Sequence, residues 1–275
     1  MSEEKWLKEQ IFQSDANEEY GVAYKFSKSK IPLGRKTKIF FPLMFIVLFA
    51  GICAMGSSVF SGIVKVNSQN NDVVKLEHTN YYAVSTGTFS SIELASEIAG
   101  KIKGLGGAGY VYNKNGEYNV LMYVYSSRED ALSVSQKVNE QGFNTSLFTF
   151  DCNAKSYDLN LSSEDKQTLK NAITSFDDIY LKLYTISNNY DNKQSTISAS
   201  RLEIVSIQKE FERMYSKFLT TFTNTNSELI TKLIKKLDIV SSELDLLVDP
   251  LSLDSNFQSL IKHSCINLVV ARYEL

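Results

Sequence analysis

Two stretches decide the fold: NYYAVSTGTFSS at residues 80–91 and EYNVLMYVYSS at residues 117–127. Each begins with residues that favour strands and ends on a serine pair able to cap a helix. After the first, Ile92, Leu94, Ala95, Ile98, Ala99 and Ile102 recur at helical spacing. After the second, Ala131, Leu132, Val134 and Val138 do the same, with Ser127 as the cap. Phe89-Ser90-Ser91 with Ala95 matches Tyr125-Ser126-Ser127 with Ala131 at a constant offset, and Gly106 matches Gly142 at that offset too. Each half is therefore strand, Ser-capped helix, glycine, strand. Strands are predicted at Tyr81 to Gly87, Tyr110 to Tyr112, Tyr118 to Tyr125 and Phe143 to Phe150, and Asn115-Gly116 supplies a hairpin turn. The order is β-α-β-β-α-β, a four-stranded antiparallel sheet over residues 80–151 with both helices on one face.

Working outward, residues 160–275 carry apolar residues at steps of three and four: Leu169 to Ile186, Ile204 to Phe218, Leu229 to Leu247, and Phe257 to Val269. Asn188, Asn189 and Asn192, then Thr223 to Ser227, and Asp249-Pro250 break the pattern. An all-α bundle of antiparallel helices is expected there.

Toward the N-terminus, Ile39 to Val64 is an uncharged, mostly apolar run between Lys38 and Lys65. As a helix it would span ~39 Å, more than the ~30 Å hydrocarbon core of a bilayer, so it reads as one transmembrane helix. Lys25, Lys28, Lys30, Arg35, Lys36 and Lys38 precede it without an acid among residues 21–38, which places the N-terminus in the cytoplasm and the rest outside. The expected organisation is α+β: a disordered cytoplasmic tail (1–38), the single-pass helix (39–64), a polar linker (65–79), the sheet domain (80–151) and the helical bundle (160–275). The expected location is the cell membrane, with the C-terminal region extracytoplasmic.

Several function classes find no support. A net charge of −2 offers no electrostatic case for nucleic acid. His78 and His263 are the only histidines, and no Cys or His pair has zinc spacing, so neither a metal nor a cofactor is implied. Gly104 to Gly109 matches G-x-G-x-x-G, but a helix precedes it and a strand follows, the reverse of what a dinucleotide site needs. The glycines read as a helix stop. Glu129-Asp130 and Asp177-Asp178 lie on predicted helices, where neighbours diverge, and read as solvated surface. No catalytic residue emerges. Cys152 and Cys265 could form a disulfide, although a free buried thiol is the plainer reading.

The candidate binding surface lies on the sheet. Helices cover one face, so with Val84 and Val120 beneath them, Tyr81, Ser85, Leu121 and Tyr123 fall on the other. A platform of tyrosine and hydroxyl groups suits sugar rings. Either this face is open, or the helical segment that follows covers it.

Residues from about 80 to 151 resemble the SPOR domain (sporulation-related repeat). The likeness is carried by Tyr82 to Ser91 with Ala95, and recurs as Tyr118 to Ser127 with Glu129 and Ala131. The resemblance implies a bacterial envelope protein that is not an enzyme and binds peptidoglycan glycan strands stripped of their peptides, in cell division or sporulation. It also implies that the open sheet face is the binding face, and adds Thr88, the hydroxyl that follows the family's glycine. The partners expected are thus glycan strands, the membrane and other division or sporulation proteins. The alternative is a membrane-tethered adaptor, with a degenerate SPOR scaffold and a protein-binding helical region.

Overall fold

A computed structural model describes residues 73–249 and 254–275. Its elements are β1 (Val73–Leu76), β2 (Thr79–Phe89), α1 (Ile92–Gly104), β3 (Tyr110–Lys114), β4 (Glu117–Tyr125), α2 (Arg128–Glu140), β5 (Ser146–Cys152) and β6 (Lys155–Asp158). The helices α3 (Ser163–Asp191), α4 (Ile197–Phe222), α5 (Glu228–Val248) and α6 (Phe257–Tyr273) complete the chain.

The serine caps act as the sequence implies. Ser91 Oγ accepts from Leu94 N at 3.3 Å and Ser127 Oγ from Asp130 N at 3.2 Å, each satisfying one orphan amide of the first helical turn. The hairpin turn uses Asn115 and Gly116, both with positive φ, the backbone a two-residue type I′ turn requires.

The four-stranded sheet runs β3-β4-β2-β5, antiparallel throughout. Pairing between β2 and β4 slips between Val84 and Ser85 and again between Ser85 and Thr88, where Gly87 takes φ +146°. Such bulges bend and twist the sheet locally. A separate two-stranded ribbon pairs β1 with β6, from Val73↔Asp158 to Leu76↔Lys155. The expected linker over 65–79 thus ends in a strand, whose Val74 and Leu76 are buried.

Helices α1 and α2 pack on one side of the sheet. The other side is covered by α6, which lies against β4 and β5, and by α3, which packs along α6 and β1. Helices α4 and α5 close the assembly, α4 against α3 and α5 against both α4 and α6. The helical region is therefore a layer of the same core as the sheet, where a separate bundle was expected. The reason lies in α6: Phe257, Ile261, Cys265, Ile266, Leu268, Val269, Val270 and Ala271 are all buried, and Ser259, Lys262, Ser264 and Arg272 with them, so the helix is covered on nearly every side.

The expected fold class needs a further correction. The transmembrane helix proposed at 39–64 lies outside the described residues, as do the tail and most of the linker. Among the described residues no helix is long and apolar enough to cross a membrane. What stands is an α+β fold with a four-stranded sheet held between helices on both sides.

Candidate functional site

Four of the five expected contact residues lie under the helical layer. Relative exposure is 3% for Tyr81, 2% for Ser85, 0% for Leu121 and 1% for Tyr123. Thr88 alone is exposed. The expected open platform is thus corrected to a buried interface.

Its chemistry is specific. The Tyr81 hydroxyl donates to Asp177 Oδ1 at 2.7 Å, and its ring meets Tyr180 edge-on at 5.0 Å. Burial, and then the Asp177 carboxylate, push that phenol well above its ordinary pKa. Tyr123 stacks on Tyr184 at 5.6 Å with the rings 14° apart, and meets Tyr125 in a T-shape at 5.2 Å. Tyr180 donates its hydroxyl to the Val124 carbonyl at 3.2 Å. Ser85 turns back on its own strand, donating to the Gly87 carbonyl at 3.2 Å. The aromatic faces that would stack on sugars already stack on one another.

Charged groups from α3 and α6 fasten this interface. Lys262 and Asp191 form a fully buried ion pair at 2.8 Å. Lys262 also donates to the Gly106 carbonyl at 3.0 Å, and its ammonium lies 5.6 Å from the Tyr123 ring centroid. Gln258 donates to Asp191 at 2.7 Å. Arg272 reaches Asp177 at 3.4 Å and the Glu77 carbonyl at 3.0 Å. The glycine run 104–109 is therefore a dock for α6. At Gly106, where φ is +81°, an added Cβ would come within 2.2 Å of Gln258 Oε1.

Asp177 is not the solvated surface acid expected from the sequence, because it holds both Tyr81 and Arg272. One signal was available: Lys262 and Arg272 are the only lysine and arginine in a helix rich in apolar residues, and buried cations need carboxylate partners.

The helical layer is not a lid. Phe257, Ile261, Ile266, Leu268 and Val269 are each at most 2% exposed. At ~1.5–3 kcal/mol per buried side chain, lifting α6 alone would cost on the order of 10 kcal/mol, as much as the net stability of a whole domain. Opening is equivalent to unfolding.

At the margin of the cover Thr88 and Lys114 are exposed and Phe148 is half-buried, whereas Tyr112 and Asn119 between them are buried. Tyr110, under the ring of His263 at 4.9 Å, pairs with Leu121. Two residues further along, Tyr112 pairs with Asn119, and Asn119 with Thr88. Thr88 Oγ1 donates to Asn119 Oδ1 at 2.8 Å. Half-buried Phe148 meets Tyr112 at 5.3 Å, and exposed Lys114 sits 5.2 Å from the Phe148 ring centroid.

Cys152 and Cys265 are free and buried, and burial raises their thiols to about 11 and about 12. Among the described residues no group of His, Cys, Asp and Glu could hold a metal ion.

Residues 79–149 match the family model of the SPOR domain, the span from β2 to β5. No curated protein and no solved structure matches the chain.

Proposed function

Taking as premise that residues 79–149 belong to the SPOR domain family, whose members bind peptidoglycan in cell division, we propose that this protein is a non-enzymatic SPOR protein that associates with denuded peptidoglycan glycan strands during division or sporulation. The observation that carries the reading is the family match over a sheet of the expected strand–helix order. The test is co-sedimentation of the full-length chain with purified cell-wall sacculi, before and after amidase removes the peptides. Retention should rise on the treated sacculi. Background-level retention on both would reject the reading.

A second reading is favoured by one observation, the burial of Tyr81, Ser85, Leu121 and Tyr123 under α3 and α6. The sheet would then serve as the base for a helical layer that docks a division or sporulation protein. A fluorescent fusion separates the two. Septal recruitment without any sacculus binding supports the adaptor; recruitment lost together with sacculus binding supports the glycan reader.

A further inference from the structure

The four-stranded sheet has two outer edges, β3 and β5, and they are built differently. We propose that the β5 edge, Ser146–Cys152, pairs with the same strand of a second copy of this chain, antiparallel about a two-fold axis at Thr149. Two sheets are thereby joined into one. The inference is independent of the glycan reading above.

The edge is open to pairing. Strand β5 is bonded to β2 along one side, and among the described residues no strand lies along the other. The outermost strand of a sheet points a row of backbone N–H and C=O groups away from it, which makes a template for another extended segment. Proteins commonly blunt such an edge with a bulge, a proline or a lysine. The ladder from Thr79↔Cys152 to Ser85↔Ser146 runs without a bulge, and SLFTFDC contains neither proline nor lysine. The β3 edge is guarded: it has five residues and ends on exposed Asn113 and Lys114. Strand β5 runs for seven, until Asn153 and Ala154 interrupt it before β6.

A second copy is the occupant because the strand is nearly its own mirror sequence. Outward from Thr149, Phe148 is matched by Phe150, Leu147 by Asp151 and Ser146 by Cys152. A closed dimer needs a contact in which residue i meets j while j meets i. Antiparallel pairing about Thr149 meets that condition. It sets Phe148 opposite Phe150 on one face of the sheet, and Thr149 opposite its own copy on the other. Aromatic pairs and threonine pairs at directly opposed positions both favour a ladder. Asp151 is the only charged residue of the strand, is already held by His78 at 2.7 Å, and falls opposite Leu147. No like charges meet.

Exposure agrees with this register. Thr149 is exposed and Phe148 is half-buried, while Phe150 is fixed against Tyr273 of α6. Each partly uncovered ring would therefore lie beside a ring that is already immobile, at little cost in side-chain entropy. One strand pair is smaller than a standard interface of about 1,600 Å², so the dimer should form and dissociate with concentration.

The test uses the full-length chain. Directly opposed residues of an antiparallel ladder have Cα atoms about 4.5–5.5 Å apart, within the span of about 4.4–6.8 Å that a disulfide bridges. Thr149→Cys should therefore give a reducible, cross-linked dimer under mild oxidation. Lys114→Cys, exposed on the other edge, and the wild type should not. Thr149→Lys sets two ammonium groups against each other at the axis. It should keep the wild-type melting temperature and raise the dimer dissociation constant in analytical ultracentrifugation about tenfold, equivalent to ~1.4 kcal/mol. A chain that is monomeric up to its highest soluble concentration overturns the proposal. So does a dimer that Thr149→Lys leaves intact, that Thr149→Cys does not trap, or that Lys114→Cys traps equally well.

Discussion

Lys262 and Asp191 are shut off from solvent, 2.8 Å apart, beneath the helical cover. Removing one member of such a pair strands the other in a medium that cannot solvate it. Lys262→Ala should therefore cost about 3–5 kcal/mol in chemical denaturation, whereas Lys262→Met with Asp191→Leu should come within about 1–2 kcal/mol of wild type, because apolar replacement removes both desolvation penalties together. His263 gives a pH signature. Burial lowers its pKa, opposed by Glu243 and assisted by Lys103, so the folded state resists the proton that the unfolded chain takes up below about pH 6.5. The unfolded state binds more protons in that window, and the contribution of His263 to stability is lost as the pH falls through it. Denaturation midpoints measured between pH 7.5 and 5 should decline, and the decline should flatten in His263→Gln. The residues alone flag Lys262 as a cation needing a carboxylate, but the partners at both sites depend on which helix lands on the sheet.

At the scale of elements, the two Ser-capped repeats and the breaks between helices were legible, because caps, glycines and periodicity are local. Tyr81, Ser85, Leu121 and Tyr123 are buried together, where the sequence reading has them share one face of the sheet. Their availability depended on a long-range contact that no local pattern encodes, although the apolar run from Leu268 to Ala271, on a helix that also carries Phe257, Ile261, Cys265 and Ile266, is what a helix buried on more than one side shows. The short β1–β6 ribbon was missed for a similar reason: its strands lie 79 to 85 residues apart and are too short to carry a periodic signal. The Gly106 dock offers a direct check on the join between sheet and helices. Gly106→Ala places a Cβ against Gln258 at a positive φ and should cost ~1–3 kcal/mol. Adding Gln258→Ala should restore part of that loss, a coupling that a double-mutant cycle would read.

For the molecule as a whole, a single core running from Val74 to Leu275 predicts one cooperative unfolding transition for residues 73–275, with circular dichroism and tyrosine fluorescence coinciding. A fragment ending at residue 159 would expose Tyr81, Leu121, Tyr123 and Phe150 together, and should lack the dispersed amide spectrum of a folded sheet. The β1–β6 ribbon carries a mechanical consequence. Tension arriving along the chain before Val73 acts first on the Val73↔Asp158 end of that ribbon, so its bonds are loaded one after another. The ribbon would peel at low force. The pull would then reach Glu77, whose carbonyl is gripped by Arg272, and beyond it β2, flanked on both sides by partner strands that must yield together. Stretched from its N-terminal side, the protein would give up about a nanometre of chain, four residues at ~3.3–3.6 Å each, before its main body felt the load.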